Sequence, residues 1–130
     1  MNKKLIASGL IFILFSIILG AFAAHGLESA GVEKDQIDSF ETGVRYLFIS
    51  GISFLAWVGL RPFIDIEFNL SYRLVFWGTL LFSISIFLLV VLPILELNFN
   101  QYIGPVTPIG GFMMILGWFI FTVKYLRTIL

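Results

Sequence analysis

Residues 74–95, LVFWGTLLFSISIFLLVVLPIL, run for 22 positions without a charged side chain. An α-helix rises about 1.5 Å per residue, so roughly 20 residues cross a hydrocarbon core about 30 Å thick. This stretch is long enough to span, and its apolar residues are continuous rather than alternating, which excludes a membrane β-strand. Three further runs lie on either side of it. Leu5–Ala24 has 20 residues without a charge, and Leu97–Val123 has 27, with the helical part expected from Pro108. Tyr46–Leu60 has 15, extending to 19 if the helix begins at Thr42 and includes Arg45. The expected fold is an all-α membrane protein, a four-transmembrane-helix bundle. It forms one membrane domain, 1–130, with helices over about 5–24, 42–60, 74–95 and 108–127.

Composition points the same way. The chain is 59% apolar and only 12% charged, with eight basic and eight acidic side chains giving no net charge. A soluble domain carries roughly 45–50% apolar and about 25% charged residues. No basic excess points to nucleic acid, and the absence of cysteine excludes disulfides, thiolate metal sites and a cysteine nucleophile.

Local signals mark the ends of the runs. Asp38 and Glu41 have capping-box spacing and predict the start of helix 2. Thr107-Pro108 sets a capping hydroxyl before a proline at the first helical position, predicting the start of helix 4. Arg61-Pro62 ends helix 2, and Pro93 falls in the last turn of helix 3. Glu28–Asp38 reads as a polar segment with a short helical lead-in, and Phe63–Leu70 as an interfacial loop. Lys3-Lys4, an apolar stretch and Ala21-Phe22-Ala23 imitate a secretory signal with its cleavage site. The run nevertheless reaches full spanning length, so a retained first helix is expected.

Charge placement predicts orientation. With the N-terminus inside, Lys3, Lys4, Arg61, Arg73, Lys124 and Arg127 lie inside, and only Lys34 and Arg45 outside. Six against two over short loops predicts that both termini are cytoplasmic. Trp57, Tyr72, Trp77 and Tyr125 fall near the inner interface and Tyr46 and Tyr102 near the outer one, as aromatic belts. Trp118 falls midway along helix 4, where its indole N–H favours a position facing other helices.

Small residues allow helices to approach closely in lipid. Ser16, Gly20 and Ala24 recur every fourth residue on helix 1. Gly43, Ser50, Ser53 and Ala56 mark helix 2, Gly78, Thr79, Ser83 and Ser85 helix 3, and Thr107, Gly110, Gly111 and Gly117 helix 4. Most of the remaining Phe, Leu and Ile are expected to face lipid or another subunit.

Few residues offer chemistry. His25, the only histidine, is the one side-chain type that changes charge near neutrality. It fits a proton relay, a pH sensor or a ligand pocket. Equally, it fits a hydrogen bond to the open carbonyls of helix 1, with Gly26 as the left-handed cap. Arg45 lies one turn inside helix 2, where a charge demands a partner or an escape to the headgroups. Glu41, four residues earlier, is one partner; an anion or lipid headgroup is the other. His25, Glu41, Thr42, Arg45, Tyr46 and Thr107 share the outer end as a candidate polar cluster. No metal-ligand pattern, nucleophile–base pair, phosphate loop or dinucleotide fingerprint is present. No cofactor and no catalysis are expected.

The chain resembles the small inner-membrane proteins of unknown function typified by YgdD and YwdK. The resemblance covers nearly the whole chain and is carried first by Gly20-Ala21-Phe22-Ala23-Ala24-His25-Gly26-Leu27. Thr42-Gly43-Val44-Arg45-Tyr46, Gly78-Thr79-Leu80-Leu81-Phe82-Ser83, Thr107-Pro108-Ile109-Gly110-Gly111 and Gly117-Trp118 extend it to the other helices. Ser50 stands where relatives tend to have a histidine, and Ile84 where they tend to have a glycine. The first departure argues against a two-histidine metal or proton site. The resemblance implies four helices in a bacterial plasma membrane and supplies no biochemical activity. The expected role is association with membrane lipids and with other copies or other membrane subunits. Conduction of ions or small solutes and lipid-headgroup binding at the outer leaflet are the alternatives.

Overall fold

The computed structural model describes residues 1–130, all helices and short turns. Helix α1 covers Asn2–Ala21 and continues without interruption into a π-helical stretch, Phe22–Leu27. Helix α2 covers Lys34–Leu60 and closes in a 3-10 turn, Arg61–Phe63. Helix α3 covers Asn69–Ile94, α4 is the single turn Asn100–Ile103, and α5 covers Val106–Ile129. Four helical segments are long and apolar enough to cross a membrane: Asn2–Leu27, Lys34–Phe63, Asn69–Ile94 and Asn100–Ile129.

Helix ends differ from expectation where side chains find better partners. Helix α2 starts at Lys34 rather than Thr42, with Glu33 in extended geometry before it. The added turns are amphipathic, and Phe40 turns inward against Ala23, Leu27 and Val90. Asp38 and Glu41 therefore lie inside the helix and form no capping box; Thr42 Oγ1 donates instead to the Asp38 carbonyl at 3.0 Å. Thr107 does not cap α5, whose cap residue is Pro105. Its hydroxyl is held by Ser85 at 2.6 Å. Gly26 is not the left-handed residue after α1, because the helix runs on through it as π-helix. Gly31, with φ 74°, makes that turn. Pro93 sits in the final turn of α3, where the helix ends anyway.

The helices pack in chain order: α1 on α2, α2 on α3, and α3 on α5. Arg61 donates to Asn2 Oδ1 at 2.6 Å, and Lys124 Nζ to the Glu67 carbonyl at 2.7 Å. Both termini therefore lie at the same end as the α2–α3 loop.

The core at that end is aromatic. Trp57 stacks on Phe121 at 4.8 Å, meets Trp118 edge-on at 5.1 Å and leans on Phe68 and Phe54. Phe54 continues the cluster to Tyr72, Phe76 and Phe12. One set of rings thus ties all four spanning helices, each pair adding stabilisation beyond its buried area. This corrects the belt expectation for Trp57, which is 1% exposed. Phe54 of its own helix, Phe68 just before α3, and Trp118 and Phe121 of α5 enclose it, so its ring packs inside the bundle. Trp77, Tyr125, Tyr46 and Tyr102 are exposed, as belt residues would be.

Candidate functional site

Two places in the fold gather the residues expected to matter: the small-residue seams and the end remote from the termini. The seam between α3 and α5 is built on glycine. A Cβ on Gly110 would land on the Phe82 amide nitrogen and 2.7 Å from the Gly78 carbonyl oxygen. One on Gly78 would lie 2.8 Å from the Gly110 carbonyl oxygen. The two backbones touch directly, as only glycine permits. Gly117 continues the seam against Val75, 2.7 Å from its would-be Cβ. Gly111 is not part of the close contact, its nearest neighbour being the Phe82 ring at 3.6 Å.

Hydroxyls reinforce this seam and join it to α2. Ser50 and Thr79 share a hydrogen bond at 2.7 Å, and Thr79 lies 3.3 Å from Met114 Sδ. Ser83 donates to the Gly43 carbonyl at 2.8 Å, across a contact in which Gly43 leaves room for the Phe87 ring. Ser50, Thr79, Ser83 and Ser85 are all buried, each with a partner, and Ser53 bonds back to its own helix at Ile49. Within one chain these hydroxyls form closed pairs rather than a continuous polar lining.

The seam between α1 and α2 also closes on glycines, but on Gly9 and Gly51. A Cβ on Gly9 would lie 2.9 Å from the Gly51 carbonyl oxygen, and one on Gly51 3.0 Å from that of Gly9. Sequence reasoning missed this pair because each is a lone glycine with no small residue four positions away on its own helix. The expected stripe is only partly used. Ser16 is buried and bonds to Ile13, Gly20 has only Val44 nearby at 3.5 Å, and Ala24 is exposed. Trp118 faces Trp57 and Phe121 with one side, yet keeps 37% of its surface exposed.

The outer polar cluster does not form a single site. His25 is exposed on the π-helical stretch, and its carbonyl accepts from Ser29 at 2.7 Å. The π-helix carries Phe22 over Gly26, where a Cβ would lie 2.6 Å from the ring, and on toward Phe40. Extra residues per turn of this kind often occur at functional sites. Glu41 and Arg45 line a concavity between α1 and α2 together with Ser16 and Gly20. Thr42 lines a different hollow, between α2 and α3, with Gln36, Ser39 and Ile86. Tyr46 packs edge-on against Phe82 at 5.2 Å, and Thr107 belongs to the α3–α5 seam. No three His, Asp or Glu side chains converge as metal ligands would.

These helices and their glycine contacts can be set beside known proteins. Residues 19–111 match the family described as "Protein of unknown function (DUF423)". The chain belongs to this family. The matched span takes in the π-helical stretch, Gly43, Arg45, the Gly78–Gly110 contact and Thr107. Among DUF423-type relatives, the UPF0382 membrane protein C1782.12c of Schizosaccharomyces pombe is 33% identical over 81% of this chain and 86% of its own length. The UPF0382 membrane protein YwdK of Bacillus subtilis is 32% identical over 95% of this chain and 99% of its own. A third, SH2409 of Staphylococcus haemolyticus, is 31% identical over 89% of each. No solved structure matches the chain. This DUF423 protein is therefore a membrane protein with four spanning-length helices, from a family of unknown function.

Proposed function

We propose that the protein works by association in the membrane, as a homo-oligomer or an accessory subunit of a membrane complex, and not by catalysis. The observation that carries this reading is the unequal burial of the helices. Within its spanning window α3 is 39% buried but α5 only 17%. Helix α5 rests on α3 along one face and presents Ile109, Phe112, Ile115 and Phe119 outward. The flanking helices α1 and α5 share no hydrogen bond or ring contact, so the bundle is open along one side. The pairing of Ser50, Thr79, Ser83 and Ser85 supports association over conduction through a single chain. The end carrying the termini also holds Lys3, Lys4, Arg61, Arg73, Lys124 and Arg127, which supports cytoplasmic termini in a bacterial plasma membrane.

Cysteine-free wild type makes single-cysteine crosslinking clean. Phe112→Cys and Phe119→Cys in native membranes are expected to give a crosslinked dimer or a defined heteromeric product, whereas Leu14→Cys on α1 is not. A chain that remains monomeric at all three positions, with no partner retained in mild detergent, overturns the proposal.

A further inference from the structure

The α1–α2 seam closes at Gly9 and Gly51 and again where Ala23 and Leu27 meet Phe40, and between the two it is loosely packed at Gly20. There it leaves a concavity of about 340 Å³. Ser16 and Gly20 form its floor, Ile17 and Phe48 its apolar sides, and Glu41 and Arg45 its charged rim. Both charged side chains are exposed, and neither engages a hydrogen-bonding partner within the protein. An arginine at this depth is costly unless a partner reaches it.

We infer that this concavity binds a phospholipid bearing a primary amine, with its phosphate on Arg45, its ammonium on Glu41 and an acyl chain along Ile17 and Phe48. The order of the groups decides the ligand. Arg45 lies four residues deeper along α2 than Glu41, a step of about 6 Å along the helix axis. A phospholipid headgroup is arranged in the same sense, with the chains deepest, the phosphate next and the amine nearest water. The short ethanolamine link sets the ammonium about one such step from the phosphate. Guanidinium to phosphate and carboxylate to ammonium are both charge-assisted contacts. A second protein helix in the same hollow would cover Arg45 with apolar surface and strand its charge. A purely anionic lipid would satisfy Arg45 but set its negative headgroup against Glu41. Gly20 leaves room in this shallow hollow, since Val44 at 3.5 Å is the only atom near its would-be Cβ.

Native mass spectrometry of the full chain in mild detergent tests this. Equimolar phosphatidylethanolamine, phosphatidylglycerol and phosphatidylcholine are added, and retained lipid is counted. Wild type is expected to retain phosphatidylethanolamine about tenfold over the other two, as one charge-assisted hydrogen bond would give. Arg45→Gln should lose retention of every phospholipid by about tenfold, and Arg45→Lys should restore most of it. Glu41→Gln should abolish only the preference for the amine. Gly20→Leu fills the hollow without touching a charge, and should lower retention while the protein remains folded. Equal retention of the three lipids by wild type, or unchanged retention in Arg45→Gln, overturns the inference. A preference for phosphatidylglycerol that Glu41→Gln leaves intact overturns it as well, since the site would then be a simple anion site. Because α5 takes no part, failure here leaves the crosslinking prediction at Phe112 untouched.

Discussion

The α3–α5 seam and the α1–α2 seam begin from the same device and end differently. Each brings two glycine backbones into direct contact, Gly78 with Gly110 and Gly9 with Gly51. On α3–α5 the contact is continued in both directions, by Gly117 against Val75 and by the Ser85–Thr107 hydrogen bond. On α1–α2 it is interrupted: about three turns along α1 Gly20 has only Val44 nearby, beside the concavity of Glu41 and Arg45, before Ala23 and Leu27 close on Phe40. A glycine contact therefore sets how closely two helices approach, and what lies on either side decides whether the seam is structural throughout or leaves a place for a ligand.

The largest test of this contrast is Gly110→Ala. The added methyl meets the Phe82 and Gly78 backbones, which cannot rotate aside. Overpacking of this kind costs about 1–3 kcal/mol, and the upper end is expected here. Unfolding in a mixed-detergent titration would show it; stability equal to wild type would mean that the α3–α5 backbones do not touch. Gly51→Ala should follow with about 1 kcal/mol lost. Its nearest atoms are Ile13 Cγ1 at 2.9 Å, the Gly9 carbonyl oxygen at 3.0 Å and the Ile13 amide nitrogen at 3.1 Å, all farther than the Phe82 amide nitrogen and Gly78 carbonyl oxygen that a methyl on Gly110 meets. If Gly51→Ala proved worse than Gly110→Ala, the ranking of the two seams would reverse.

A smaller effect is expected from Thr79→Val, which keeps the shape and removes the hydroxyl between Ser50 and Met114. Hydrogen bonds between membrane helices average about 0.6 kcal/mol, because the separated helices also find partners. Pairing the substitution with Ser50→Ala in a double-mutant cycle isolates that bond. A coupling near zero would assign the strength of the α2–α3–α5 region to packing alone.

What could be read in the sequence follows from which constraints are local. Spanning length is local, so the four apolar runs are visible in composition. Which glycines make contact is not local: Gly117 lies between Leu116 and Trp118, while Gly9 follows Ser8 and Gly51 follows Ser50. The close approach of Gly9 to Gly51 arises only when two helices meet. The Asp38–Glu41 spacing suggested a helix start, yet Phe40 is drawn inward by Ala23, Leu27 and Val90, a tertiary contact that extends α2 to Lys34. The polar cluster was expected from common depth. Depth says nothing of azimuth, and the helix faces carry Glu41 and Arg45 to one side, Thr42 to another and Thr107 to α5. The aromatic cluster around Trp57 was hidden for the same reason, since interface depth and core position coincide along α2.

Gly20→Ala should have the smallest effect of all, and it is the sharpest comparison with Gly51→Ala one seam-length away. The new methyl meets Val44 at 3.5 Å, an ordinary van der Waals contact. Alanine also has the better helix propensity, worth up to about 1 kcal/mol over glycine in a helix interior. Stability should therefore be unchanged or slightly raised, although Gly20 belongs to the small-residue stripe that the sequence displays and Gly51 does not. A loss comparable to that of Gly51→Ala would show the seam to be tight along its whole length, and the concavity beside Arg45 would then be too shallow for an acyl chain.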